Sequence, residues 1–282
     1  MWSCGPPALP DPRQLPFLLD LLEDDSPVVQ EAVRRELARY GPQLPGEIGR
    51  LTPPLTASRR RAVESLLAEP QREWLADNWA TWKARHGDKE RLEAALSLLA
   101  EYQNGPALSD PLPPRLDRLA EEFRAGQGAG DPAALARYLF RRQGLHGAGT
   151  DYYSPQNSNL SAVIRRRRGL PISLCCIYIL VGRRLGLDLQ GCNFPGHFLA
   201  SFRSPAGTLV FVDAFDGGRL LEENLILGMF PNPAPDLRRI LETPASAEVI
   251  VARLLRNLVM AYQKAGQLER ARLMQELLRG GS

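Results

Sequence analysis

Apolar positions recur at helical spacing through the first half of the chain and change to the every-second-residue alternation of strands only after a buried-looking segment near residue 170. Leu15 to Glu23 is apolar along one side, Asp24-Asp25-Ser26 reads as a turn, and Pro27 suits the first position of a second helix capped by Ser26. Val29, Val33, Leu37 and Tyr40 follow at about one-turn spacing, and Gly41-Pro42 closes the element. The pair reads as one HEAT-like helical hairpin over 15–41. A solenoid needs about three stacked units, and no second copy is visible. Further helices are predicted at 58–69, 71–86, 88–103, 115–125 and 132–143, separated by Pro and Gly signals. Leu75, Trp79 and Trp82 stand at i, i+4 and i+7, a stripe that predicts helix–helix core packing rather than a partner-binding groove. Residues 126–131, Gly-Gln-Gly-Ala-Gly-Asp, predict a flexible joint.

From Gly169 the pattern changes. Leu170-Pro171-Ile172-Ser173 opens a helix that runs through Cys175, Cys176 and Tyr178 and closes at Arg183-Arg184-Leu185-Gly186. Proline suits its first turn, the two arginines favour the negative end of the helix dipole, and Gly186 suits the C-terminal cap. The helix is apolar nearly all round and is therefore expected to be buried. Strands are predicted at 188–194, 197–203 and 208–213, with a turn over 204–207. Alternation puts Phe198, Ala200 and Phe202 on one face and His197, Leu199 and Ser201 on the other. His197 opens one strand and Asp213 ends the next, so an antiparallel hairpin places them side by side. The carboxylate can then bond one imidazole nitrogen and leave the other facing a helix N-terminus.

Composition narrows the functional classes. With 282 residues, 44% hydrophobic and 24% charged, the chain has the make-up of a folded protein of two domains, or one with a helical extension. The net charge is +3, lysine occurs only at 83, 89 and 264, and the one basic cluster, Arg165 to Arg168, reads as a solvated turn, so no nucleic-acid partner is expected. The four cysteines, at 4, 175, 176 and 192, form no CxxC pair and no secreted disulfide framework, which fits a reducing cytoplasm. Neither a leader nor a membrane span is expected: residues 1–12 lack an apolar core, and the longest apolar run, 169–182, falls short of the ~20 residues a span needs.

Five short motifs occur in one order: Asn157-Ser-Asn-Leu160, Arg168-Gly-Leu-Pro-Ile-Ser173, Arg184-Leu-Gly-Leu187, Phe194-Pro-Gly-His-Phe198 and Val212-Asp-Ala-Phe215. Together they resemble the SirB-type branch of the transglutaminase-like superfamily, over about 120–280. Ala252 to Leu258, Tyr262 to Gly266 and Ala271 resemble the tetratricopeptide-like helical hairpin that follows the core in that branch. The resemblance implies a Cys-His-Asp arrangement in active members, with the cysteine at the very start of the buried helix, where the dipole lowers the thiol pKa. In this chain that place falls near Pro171 to Ser173, and no cysteine stands there.

The candidate triad is therefore Cys176 or Cys175 with His197 and Asp213, vestigial or working. Cys176, one turn on from Ser173, is the better placed of the two thiols, though both read most simply as small core residues, as does Cys192. Ser173 is a candidate helix cap or hydrogen-bond partner of His197, and Asn157 a candidate binding residue or a tie between the preceding loop and the core. No metal site is expected, because Asp213 and one histidine supply too few ligands and His86 and His146 lie elsewhere. No cofactor is expected either.

The expected fold is α+β: an all-helical region over 1–112, a transglutaminase-like core with a central helix against a small antiparallel sheet over 113–245, and a helical hairpin over 246–282. The resemblance implies a catalytically inactive or weak protein acting on an unidentified protein or peptide partner, by binding or as a scaffold. The alternative is a thiol hydrolase or acyltransferase acting on amide bonds.

Overall fold

Helix signals at Pro27, Pro132 and Pro171 all mark real starts in the computed structural model, which describes residues 11–40, 44–49, 51, 56–105, 111–127, 130–228 and 236–280. Cys4, the Gly41-Pro42 stop and positions 128–129 of the expected joint lie outside the described residues. The chain divides into two compact units, Met1–Asp77 with Glu101–Asp110, and Asn78–Ala100 with Pro111–Ser282.

In the first unit, α1 (Leu15–Asp20) leads through a 3-10 turn (Leu21–Glu23) to α2 (Pro27–Arg39), followed by α3 (Leu44–Gly49) and α4 (Ala57–Asn78). Leu15, Leu19, Val33, Leu37, Tyr40 and Ile48 form its core, and the Tyr40 hydroxyl donates to the Asp11 carbonyl at 2.8 Å. Ser26 occupies the N-cap position of α2, but its side chain makes no capping bond. Its own N–H instead donates to Asp24 Oδ1 at 2.8 Å. Pro70 does not separate two helices: α4 runs through it, forgoing the one backbone donor proline lacks. Trp79 and Trp82, which belong to the second unit, stand on a 3-10 segment (Trp79–Ala84), both buried, with ring centroids 6.0 Å apart.

The second unit holds α5 (Asp88–Asn104) as far as Ala100, α6 (Leu112–Gln127), α7 (Pro132–Arg137), a π-helical turn (Tyr138–Arg142) and α8 (Leu160–Arg166). Asp131 caps α7, its carboxylate accepting from the N–H groups of Ala133 and Ala134 at 3.0 Å. A two-residue parallel pair, β1 (His146–Gly147) with β2 (Arg168–Gly169), has no counterpart among the sequence expectations. At the centre lies α9 (Pro171–Arg184), every residue from Ile172 to Gly182 buried, closed by Gly186 at φ +73°. Its Tyr178 donates to the Pro132 carbonyl at 2.9 Å.

Against α9 packs an antiparallel sheet in the order β3 (Gln190–Cys192), β4 (Leu199–Arg203), β5 (Leu209–Asp213) and β6 (Arg219–Glu222). In register, Cys192 faces Leu199, Ser201 faces Phe211 and Phe211 faces Leu221, and that face is covered by residues of α10 (Glu223–Gly228) and α11 (Leu237–Glu242). The other face carries Phe198, Ala200 and Val212 toward α9. The alternation of β4 therefore separates two buried faces rather than an inner from an outer one. The chain ends in an antiparallel pair, α12 (Ala247–Lys264) and α13 (Leu268–Arg279), whose start is fixed by the Ser246 cap and by the Ala247 N–H on Asp88. The fold is mixed helix and sheet, α+β, as expected.

Candidate functional site

His197 is set by a tight turn. Phe194-Pro195-Gly196-His197 closes with the His197 N–H on the Phe194 carbonyl at 3.2 Å, Pro195 second and Gly196 third at φ +73°, the residue order a type II turn requires. The histidine thus lies two residues before β4 rather than on it. Asp213 ends β5, and its Oδ1 accepts from the N–H groups of Phe215 and Asp216 at 3.0 and 3.1 Å, fixing the turn that follows. The same oxygen accepts from His197 Nε2 at 2.9 Å.

That contact sets the imidazole's chemistry. With Nε2–H donated to Asp213, the neutral ring keeps its lone pair on Nδ1, available to take a proton. Burial raises the Asp213 carboxyl, but the hydrogen bond and charge of His197, with the backbone donors, bring it below the ordinary carboxylate range. The aspartate therefore stays ionised beside a ring that is half exposed.

The thiols do not join this pair. Cys175 and Cys176 are fully buried, and neither sulfur bonds to His197. The Cys175 thiol donates to the Phe198 carbonyl at 3.5 Å, next along the chain from the histidine. Burial first, then the neighbouring Cys176 and Asp213, push the Cys175 pKa well above the ordinary thiol value, and burial alone pushes Cys176 up as well. Cys192 is raised by burial to about 12. Ser173, in the first turn of α9, is fully buried with no partner for its hydroxyl. It makes no hydrogen bond to His197, and the cap position itself belongs to Leu170. Asn157 is also fully buried; its amide donates to the carbonyls of Asp151 and Tyr152 and its Oδ1 accepts from Arg166 at 3.4 Å. Among the described residues no group of three or more His, Cys, Asp or Glu side chains could hold a metal ion.

Around the pair stand groups with weak or no local sequence signal. Phe215 meets the His197 ring and the Tyr152 ring edge-on at 6.3 Å each, and Tyr153, half exposed, extends the aromatic wall. Gly147 leaves no space to spare: a Cβ there would lie 2.4 Å from the Phe215 ring. Arg253 reaches over from α12, its Nη1 on the Phe194 carbonyl at 3.0 Å and its guanidinium 5.6 Å from the Phe198 ring centroid. Only the apolar periodicity of α12, which puts this arginine beside buried positions, hinted at it.

The raised thiols carry a stability consequence. Unfolded cysteines lose their protons near pH ~8.5, whereas the folded ones hold theirs, so the folded state loses ground as pH rises above that value. The expected slope approaches about 1.4 kcal/mol per pH unit for each protected thiol. Urea unfolding at about pH 8 to 9.5 measures it, and the double variant Cys175→Ala, Cys176→Ala is expected to show a shallower fall. An unchanged slope in that variant contradicts the assignment.

A model of the family described as "Transglutaminase-like superfamily" matches residues 113–256. A UPF0162 protein of Xylella fastidiosa is 44% identical over 145 residues, 49% of this chain and 51% of that protein. A UPF0162 protein of Pseudomonas aeruginosa is 32% identical over 182 residues, 62% of this chain and 66% of that one. F-box only protein 21 of Mus musculus is 36% identical over 95 residues, 31% of this chain but 15% of that protein. The chain thus spans about half the length of the first of these relatives. No solved structure matches. No described helix is long and apolar enough to cross a membrane.

Proposed function

We propose that this chain, which belongs to the transglutaminase-like superfamily, is a catalytically inactive or weak member that acts by binding protein or peptide partners. The observation that carries the reading is that the His197–Asp213 pair is intact while both thiols are sealed in the core without a bond to it. A thiolate is the nucleophile in cysteine catalysis, and burial holds these sulfurs in the thiol form. The start of α9, where the dipole would activate a thiol, carries Pro171-Ile172-Ser173 instead. In this reading Cys176, Cys175, His197 and Asp213 are the remnant of a triad, the pair serves to hold the Phe194–His197 turn against the Asp213 turn, and Asn157 and Ser173 belong to the packing behind it.

The match to a small fraction of F-box only protein 21 supports a module that is useful as part of a larger assembly. The same proposal includes the finer placement in the SirB-type branch, with 1–112 as a helical region bearing one HEAT-like hairpin, 113–245 as the core, 246–282 as a tetratricopeptide-like hairpin, and a cytoplasmic setting. The binding surfaces are the aromatic cleft at His197 and the C-terminal hairpin.

Iodoacetamide labelling across about pH 5 to 9, followed by peptide mass spectrometry on wild type and His197→Ala, tests the reading. Both cysteines are expected to stay unlabelled until urea unfolds the chain. Rapid labelling of Cys175 or Cys176 near pH ~6 that disappears in His197→Ala would establish an activated thiolate and replace this proposal with a thiol hydrolase or acyltransferase.

A further inference from the structure

On the C-terminal hairpin, Val251, Leu255 and Leu277 floor a groove of about 450 Å³, walled on one side by Trp79 and Trp82. That volume falls in the range of about 300–1,000 Å³ in which ligand-sized groups bind. The floor is apolar and buried, whereas the rim carries the exposed Val249 and Arg256. The rim's charges do not cancel. Glu248 is engaged by Arg91 at 3.2 Å. Among the described residues Arg256 makes no ion pair, and neither does Arg253, which bonds Asn193, itself part of the groove wall. Both indole N–H groups of Trp79 and Trp82 are buried without an acceptor, a cost that a partner's carbonyl can relieve after a small ring rotation.

We propose that this groove binds an acidic peptide segment carrying a large apolar side chain. The apolar side chain lies on Leu255 and Leu277, and a flanking carboxylate meets Arg256 on the rim. Arginine suits that role because its planar fork pairs bidentately with a carboxylate. The inference rests on the binding role proposed above and gives it a partner chemistry, located on α12 and α13 rather than at His197. Nucleic acid is the poorer fit. Its affinity grows with the number of phosphates neutralised, and one exposed arginine beside an aliphatic floor supplies few such contacts.

Fluorescence anisotropy on the full chain tests it with four labelled probes. These are the peptides Glu-Asp-Leu-Phe-Glu-Asp, Lys-Lys-Leu-Phe-Lys-Lys and Glu-Asp-Gly-Gly-Glu-Asp, and a short oligothymidine. The first is expected to bind best, with saturation below ~1 mM. Arg256→Glu and Val249→Asp, both at exposed positions, are each expected to weaken it at least about tenfold, and the affinity is expected to fall as salt rises. Urea unfolding of both variants guards against a folding artefact. Tighter binding of oligothymidine, equal binding of the glycine peptide, or no saturable binding of the first peptide overturns the groove. Binding that survives both rim variants but is lost in Tyr152→Ala also overturns it, while leaving the broader binding role standing at the His197 cleft.

Discussion

Replacing Glu93 by alanine should destabilise the protein by about 3–5 kcal/mol, the cost of stranding a buried charge when its partner is removed. Glu93 sits on α5 with only 12% of its side chain exposed and receives two arginines from the end of α9. Arg184 grips it with both terminal nitrogens at 2.8 Å, and Arg183 adds a bond at 2.7 Å. Burial works against the Glu93 charge, but the arginine bonds outweigh it and leave the carboxyl below its ordinary value. The stabilisation is therefore complete above the unfolded glutamate pKa of about 4.3 and is lost as pH falls through the lower folded value. Asp117 and Glu90 remain near the guanidinium groups and hold the loss toward the lower end of the range. Glu93→Gln, which keeps the shape and one acceptor, should lose less. Urea unfolding at pH 7 gives the comparison; a loss under about 1 kcal/mol would place this network among ordinary exposed pairs and refute the assignment.

This network also shows where the sequence speaks and where it stops. Arg183 and Arg184 were legible as dipole-matched ends of a buried helix, since that depends on neighbours within one turn. Their carboxylate partner, some ninety residues earlier on α5, was not, because Glu93 looks like any solvated helix position until the fold brings it in. The same contrast holds across the sheet. Proline, glycine and the two-residue period placed α9, β4 and β5 to within a few residues. The strand β6, Arg-Leu-Leu-Glu, is too short to display a period, and β1 with β2 is two residues each, so both exist only through their pairing. Pro70 failed as a stop signal because a proline costs a helix one hydrogen bond and a kink, which packing on either side can offset. At the site, His197 and Asp213 were readable as the facing ends of a hairpin, and the absence of a cysteine at the start of α9 was readable from the helix boundary. Arg253 was hidden for the reason Glu93 was: its target, the Phe194 carbonyl, is on a distant turn.

Phe198→Ala is expected to cost about 3–5 kcal/mol, as for a buried aromatic ring removed from a packed core, and to disturb binding through a route the double mutant can expose. The ring is 1% exposed and lies on the site of a missing side chain: a Cβ on Gly191 would come 2.9 Å from its edge and 3.1 Å from Ile250 of α12. Glycine at 191 thus makes room for the ring between β3 and the C-terminal hairpin. Arg253 lies across the ring face, and the Phe198 carbonyl takes the Cys175 thiol. Loss of the ring opens a cavity at the point where β4, α9 and α12 meet, and removes the surface that holds Arg253, and through it the groove-wall residue Asn193, in place. Gly191→Ala alone should be destabilising by about 1–3 kcal/mol from overpacking. In the Phe198→Ala background the same substitution has space to enter, so its penalty should vanish or change sign. The two effects are then non-additive by more than about 1 kcal/mol, well beyond the few tenths seen for independent sites. Additive losses would mean that the ring and the glycine do not share this space. If the cycle couples as expected and peptide binding weakens in Phe198→Ala while the urea midpoint of Phe198→Leu is nearly restored, one aromatic residue beside the histidine supports both the core and the binding surface of α12.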